Sequence, residues 1–170
     1  MPWPFAAAGL SFLVSTSFSK SFSLYGERVG ALSVLCESKQ EAERVLSQLK
    51  IMIRTNYSNP PIHGAMVVAT VLNTPALRAQ WEQELSEMRE RIKVMRVKLV
   101  EGLKAAGVKQ DMSFITTQIG MFSYSGLSKD QMVRLRTEFG IYGTDTGRMC
   151  VAALNSKNID YVCESIAKVI

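Results

Sequence analysis

Between Pro75 and Ala105 the apolar residues Trp81, Leu85, Met88, Ile92, Met95 and Leu99 recur at alternating spacings of four and three. That rhythm keeps them on one side of an α-helix and predicts one element of about eight turns with a narrow apolar seam, Met88 and Met95 included in its core. Asn73-Thr74-Pro75 opens the helix and Ala105-Ala106-Gly107 closes it, because proline suits a first turn and glycine a left-handed C-terminal position. Glu87 and Arg91, four apart on its flank, predict an ion pair worth a few tenths of a kcal/mol.

Ahead of this helix the pattern changes. Phe12 to Phe18 and Val29 to Cys36 (VGALSVLC) read as short buried strands, continuous rather than cleanly alternating in pattern, which fits strands covered on both faces, as in a parallel α/β sheet. Ser38 then caps a helix, with Glu41 three residues on completing a capping box and Ala42, Val45, Leu46 and Leu49 as its apolar stripe. YSNPP ends it, since Asn59 precedes a proline and Pro60-Pro61 cannot continue a helix. Gly64 to Leu72 forms a further apolar helix. Two strands fall short of the five or six of an ordinary sheet. The expectation is that an N-terminal half is missing.

Beyond the long helix come short strands and turns. Gly120 to Tyr124 reads as a strand, Ser128 caps a helix ending at Phe139, and IYGTDTGRMCVAAL leads to a last helix begun by Asn155 and Ser156. Its residues Ile159, Val162, Ile166 and Val169 face inward. The fold class is α/β, with a boundary near Pro75: residues 1–75 belong to one unit, and 76–170 hold the long linking helix and a small α+β unit.

Composition narrows the function classes. The chain of 170 residues is 47% apolar and 21% charged, which is globular composition. The net charge of +5 is dispersed, without a basic stripe, and argues against nucleic-acid binding. Phe5 to Val14 is apolar but lacks a preceding basic region and is too short to span a bilayer, so neither secretion nor membrane anchoring is expected. Cys36, Cys150 and Cys163 lie in apolar surroundings at unpaired spacings, the usage of buried free thiols in a reducing, cytoplasmic compartment. His63 is the lone histidine, and no His/Cys/acid cluster offers a metal site.

The candidate chemistry lies in STSFSKSFSLYGERVG, residues 15–30. An amine becomes nucleophilic when burial or a neighbouring cation lowers its pKa. Lys20 stands between Phe18 and Phe22 and among Ser17, Ser19 and Ser21, with no carboxylate within six residues. Arg28 carries a planar fork able to hold a phosphate. Together they suggest an amine forming an imine with a phosphorylated aldehyde, although a loop lysine and an Arg-Glu neighbour pair are more commonly ordinary surface groups.

The same segment, SFSKSFSLYGERVGAL, closely resembles the cofactor-attachment segment of the class I pyridoxal-phosphate-dependent aminotransferases, the aspartate and aromatic amino acid enzymes in particular. The resemblance continues through IRTNYSNPPIHGAMVVATVL, TQIGMFSYSGLSKDQMVRLRTEFGIY and GRMCVAALN, from about Ala7 to Ile170. It implies the C-terminal part of the type I pyridoxal-phosphate transferase fold: part of the large-domain sheet, a long interdomain helix and an α+β small domain. The implied activity moves an amino group between an aromatic or acidic L-amino acid and a 2-oxo acid through a pyridoxal 5'-phosphate Schiff base.

By position, Lys20 would form that Schiff base and shuttle the Cα proton, and Ser17 and Arg28 would bind the cofactor phosphate. Arg148 would grip the substrate α-carboxylate beside Phe122. Arg54 would reach the partner subunit's active site in the family's homodimer. The family's acid at the pyridine nitrogen, its ring-stacking aromatic, the ring-hydroxyl ligands and the phosphate-binding helix start have no counterpart in the nineteen residues before Lys20. The opening Met-Pro-Trp-Pro also departs from the family pattern. The chain is therefore expected to be an incomplete aminotransferase, with a non-catalytic fragment or partner-binding domain as the alternative. That alternative predicts an exposed apolar patch near Val14 and Val34.

Overall fold

A computed structural model describes residues 3–170, so Met1 and Pro2 of the atypical opening lie outside the described residues. The chain divides into two compact units, residues 1–82 and 83–170.

The first unit begins with the short helix α1 (Trp3–Ala7) and the strands β1 (Leu13–Ser17) and β2 (Gly30–Val34). These strands pair antiparallel in a register running from Leu13 opposite Val34 to Ser17 opposite Gly30. The expectation of parallel strands covered on both faces is thus corrected. Between them the chain forms only turns, with no helix to carry it back across the sheet as parallel pairing usually requires, so the strands meet antiparallel. Within this chain the pair stays largely uncovered, with Leu13 68% and Leu32 53% exposed. The patch foreseen near Val14 and Val34 takes the form of an open hollow lined by Ala6, Phe12, Val14, Val34 and Leu35. Gly30 is required by the pairing itself, because a Cβ there would stand 2.6 Å from the Thr16 carbonyl oxygen.

Helix α2 spans Lys39–Tyr57, and the Ser38 hydroxyl accepts from the Glu41 N–H as expected of an N-cap. The reciprocal arm differs from a capping box: Glu41 Oε2 accepts from the Glu37 N–H, one residue further back. No residue of α2 is fully buried, so its stripe is only half-covered at Val45 and Leu49 and exposed at Ala42 and Leu46. Helix α3 (His63–Asn73) packs more closely, with Gly64 and Val68 buried. A Cβ on Gly64 would stand 3.0 Å from the Glu27 side chain and 3.2 Å from that of Val29.

Helix α4 (Pro75–Ala105) is the 31-residue element predicted from the spacing. It ends in a Schellman arrangement, with Val108 N–H donating to the Leu103 carbonyl, Gly107 N–H to that of Lys104, and Gly107 at φ +89°. Two expectations along it are corrected. Met88 is 49% exposed, whereas Met95, Leu99 and Leu103 are buried. Arg91 does not pair with Glu87; its guanidinium donates to the carbonyls of Leu154 and Ala152 at 2.8 Å each, and Glu87 accepts from Gln83. Two bonds to fixed carbonyls outweigh an exposed ion pair of a few tenths of a kcal/mol.

The second unit holds the core. Leu99, Leu103, Ile115, Leu135, Val151 and Ile166 are at most 1% exposed and pack together. Around them stand α5 (Phe114–Thr117), β3 (Phe122–Tyr124), α6 (Lys129–Phe139), β4 (Arg148–Cys150), a 3-10 turn (Val151–Ala153) and α7 (Ile159–Val169). Ser128 and Gln131 form a complete capping box on α6, and Gly140 closes it in the left-handed conformation. Helix α7 starts later than its sequence signals, at Ile159. Asn155 N–H bonds to Asn158 Oδ1 and Lys157 N–H to Asn155 Oδ1, so these side chains hold a turn ahead of the helix. Its inward residues Ile159, Val162, Ile166 and Val169 are buried as the spacing predicts. Of the thiols, only Cys163 is buried; Cys36 and Cys150 are half-buried, and all three are free.

Candidate active site

The loop joining β1 to β2 carries Ser17, Lys20 and Arg28. Its shape is set by aromatic packing. Phe18 meets Phe22 edge-on at 5.5 Å, Phe22 stacks on Trp81 at 4.6 Å, and Trp81 Nε1–H donates to the Ser21 carbonyl at 2.7 Å. Trp81 sits near the start of α4, so a residue that the sequence assigns to a helix seam also anchors this loop. The two phenylalanines expected to surround Lys20 are engaged there, and Lys20 itself is exposed. The correction has a simple cause: flanking apolar residues in a turn can bury their own rings against tryptophan while the side chain between them turns to solvent.

Tyr25 organises the two cations. Lys20 Nζ lies 4.7 Å from the centre of its ring and the Arg28 guanidinium carbon 5.4 Å from it, both within cation–π range. The Tyr25 carbonyl also accepts from Arg28 Nη1 at 3.0 Å. Arg28 has φ +53°, a left-handed conformation that costs a non-glycine residue about 1–2 kcal/mol. The hydrogen bond and the strand that follows hold it there. The Ser17 hydroxyl oxygen accepts from the Ser19 N–H at 3.3 Å, which leaves its own proton free to donate.

Arg54 occupies the last turn of α2, where a cation complements the helix dipole. Its Nη1 donates to the Ser58 hydroxyl at 2.8 Å. His63 is the exposed first residue of α3.

In the second unit Arg148 and Phe122 lie on the paired strands β3 and β4, with the Arg148 guanidinium carbon 4.8 Å from the centre of the Phe122 ring. The turn leading into β4 is closely fixed. Gly147 has φ +79°, and a Cβ there would stand 2.8 Å from the Leu127 carbonyl oxygen, so only glycine fits. Its carbonyl accepts from both the N–H and the hydroxyl of Ser125. Asp145 ties the turn to α6 through Arg136 at 2.8 Å.

Sequence reasoning missed Arg96. Although 2% exposed, it carries a guanidinium, and burial pushes its pKa below the ordinary arginine value. Nη1 donates to the Ile115 carbonyl and the Ser123 hydroxyl, and Nη2 to the carbonyls of Gly120 at 2.8 Å and Phe122 at 2.9 Å. The available signal is Arg96 following Met95 on the buried side of a long helix, a position that a solvated arginine does not take. Among the described residues no group of three or more His, Cys, Asp or Glu could hold a metal ion, and no helix is long and apolar enough to cross a membrane.

The comparisons with known proteins agree with the motifs. The family model for aminotransferases of class I and II matches residues 1–166, and the chain belongs to that family. It is 64% identical over 166 residues to an aspartate aminotransferase of Pseudomonas aeruginosa, covering 98% of this chain and 42% of that protein. The aromatic-amino-acid aminotransferase of Escherichia coli is 55% identical over 164 residues, covering 96% of this chain and 41% of its own length. A crystal structure of the aromatic-amino-acid aminotransferase from Burkholderia pseudomallei, covalently bound to pyridoxal phosphate, superposes with a TM-score of 0.94 at 67% identity. It covers 97% of this chain and 41% of that one. The chain thus spans about two fifths of the length of the relatives it matches.

Proposed function

We propose that this chain is the lysine-bearing, C-terminal portion of a pyridoxal-phosphate-dependent aminotransferase acting on aromatic or acidic L-amino acids and 2-oxo acids. The observation that carries the reading is the Ser17–Lys20–Arg28 loop, in which one aromatic ring gathers an amine and a guanidinium. The residues fit the cofactor chemically. The Lys20 amine faces the Tyr25 ring rather than a carboxylate, and Ser17 and Arg28 retain donors suited to phosphate oxygens.

Pyridoxal phosphate, when bound, supplies an aldehyde that takes up the amino group and a ring that accepts the electrons released at Cα. The chain's own residues supply the rest. Ser17 and Arg28 bind the phosphate, and Lys20 Nζ holds and moves the proton. Arg148 grips the substrate α-carboxylate with its fork, and orientation by such a fork is worth far more than a point charge. Phe122 lines that place, and Arg54 meets the distal carboxylate of an acidic substrate across a homodimer. Residues 1–75 would complete a large cofactor-binding domain and 76–170 a linking helix with a small domain. The remaining cofactor contacts would come from an N-terminal half. Three free thiols suit a reducing, cytoplasmic location.

The test is a visible spectrum of the chain with pyridoxal phosphate, followed by borohydride reduction and peptide mapping. A reduced adduct on Lys20, lost in Lys20→Ala, supports the reading. Labelling scattered over surface lysines refutes it for this chain and favours a second reading, a non-catalytic partner-binding domain. The exposure of Leu13, Leu32 and Leu35 on β1, β2 and the residue after them is the observation behind that alternative.

A further inference from the structure

Arg96 is an expensive residue to bury, and its bonds show where the energy goes. A guanidinium withdrawn from water must replace its hydration with fixed acceptors. Among the described residues those acceptors are carbonyls and a hydroxyl, with no carboxylate among them. They lie on one short stretch of chain: Ile115 in α5, Gly120 in the turn after it, and Phe122 and Ser123 in β3. Helix α4 provides the rigid base. On the far edge of β3, Gln118 takes both polar backbone groups of Tyr124, its Oε1 accepting from the N–H and its Nε2 donating to the carbonyl. Strand β3 is only three residues long, so its own ladder cannot fix where the Phe122 ring stands.

We propose that Arg96 is a positioning residue for Arg148: by clamping Gly120, Phe122 and Ser123 it sets the Phe122 ring on which the Arg148 guanidinium rests, and so aims that guanidinium at a carboxylate. The inference rests on the reading of Arg148 as the carboxylate-binding group. A stacked guanidinium keeps its in-plane donors directed outward, whereas an unsupported one samples several rotamers and loses affinity for a planar anion. Lysine at 96 would keep the charge and supply fewer donors from a single nitrogen, too few to span both Gly120 and Phe122 as well as Ile115 and Ser123.

The experiment uses the 170-residue chain, isotopically labelled, with 2-oxoglutarate as the probe. With the Arg148 guanidinium carbon 4.8 Å from the Phe122 ring centre, the wild-type Arg148 Nε–H proton should resonate upfield of its ordinary position through the ring current. In Arg96→Lys that displacement collapses, the Phe122 ring signals move, and the half-saturating 2-oxoglutarate concentration rises by about two- to fivefold. The amide signals of α6 and α7 stay in place. Unmoved Arg148 and Phe122 signals in a folded Arg96→Lys chain overturn the proposal, and so do moved signals with unchanged affinity. If Arg96→Lys does not fold, Ser123→Ala removes one acceptor and must displace the same two signals, with Ser123→Thr restoring them; failure of either result overturns it equally. Arg148→Ala separates the two readings. If it leaves 2-oxoglutarate binding unchanged, the carboxylate role of Arg148 fails, while the Arg148 signal in the Arg96 variant still reports whether the clamp sets that side chain.

Discussion

Replacing Gly102 by alanine should destabilise the protein although the position lies inside a helix. Alanine is favoured over glycine in a helix interior by about 0.8–1.0 kcal/mol. Here a Cβ would stand 2.6 Å from Cys163 Sγ and 3.4 Å from Cys163 Cβ. Cys163 is 3% exposed on α7, and its thiol is directed at the Leu99 carbonyl at 3.7 Å. It has one side-chain torsion, and on a helix one of the three staggered positions is sterically poor. Either α4 and α7 separate by a few tenths of an ångström or the thiol leaves its site. Overpacking of this kind costs about 1–3 kcal/mol.

Taking about 2 kcal/mol for the clash, Gly102→Ala is expected to lose about 1 kcal/mol in the native background. In a Cys163→Ala background the clash is gone, and the same change should gain about 1 kcal/mol. The coupling between the two sites is therefore about 2 kcal/mol, measurable as a double-mutant cycle from urea unfolding followed by circular dichroism. A gain of about 1 kcal/mol from Gly102→Ala in the native background, or a coupling below about 0.5 kcal/mol, would refute the reasoning. Iodoacetamide gives an independent reading: a displaced thiol in Gly102→Ala should alkylate faster than the native Cys163.

Burial, together with the nearby Asp160 and Glu164 carboxylates, pushes the Cys163 thiol up to about 11 from its ordinary value of 9.0. The unfolded thiol ionises first, so the stabilisation is whole below pH 9 and is lost between about pH 9 and 11. It amounts to about 3 kcal/mol, and urea midpoints across that window should fall more steeply in the native chain than in Cys163→Ala. Leu99→Ala removes a fully buried side chain and should cost about 2–5 kcal/mol in the same unfolding assay. Ser128→Ala breaks the capping box of α6 and should cost about 1 kcal/mol, with Ser128→Asn recovering most of it.

Helices and their caps were legible in the sequence because they are local. The alternation of four and three from Trp81 to Leu99, the glycine at 107, and the Ser128 and Ser38 caps depend on residues within a turn or two of each other. Each reappears in the structure, and the family could likewise be recognised from contiguous motifs around Lys20, Asn59 and Arg148. What the pattern misjudged was non-local. Met88 shares the seam spacing of Met95, but whether a helix face is covered depends on what folds against it. Arg91 is spaced to meet Glu87, yet carbonyls more than sixty positions away offer fixed acceptors.

The strand runs show the same division. Short, mostly apolar runs without clean alternation signalled strands at Phe12–Phe18 and Val29–Cys36 but could not give their direction, since β1 and β2 pair through a backbone ladder that carries no side-chain information. The candidate site follows suit. Resemblance to the family's motifs pointed to Ser17, Lys20, Arg28, Arg54, Phe122 and Arg148, because those motifs are contiguous stretches of the chain. Only the tertiary structure turned Phe22 onto Trp81, set Lys20 and Arg28 against Tyr25, and spent a buried arginine on the loop beneath Phe122. These arrangements join groups far apart in sequence, and the free energy that selects them comes from desolvation and hydrogen bonding that exist only once the chain has closed on itself.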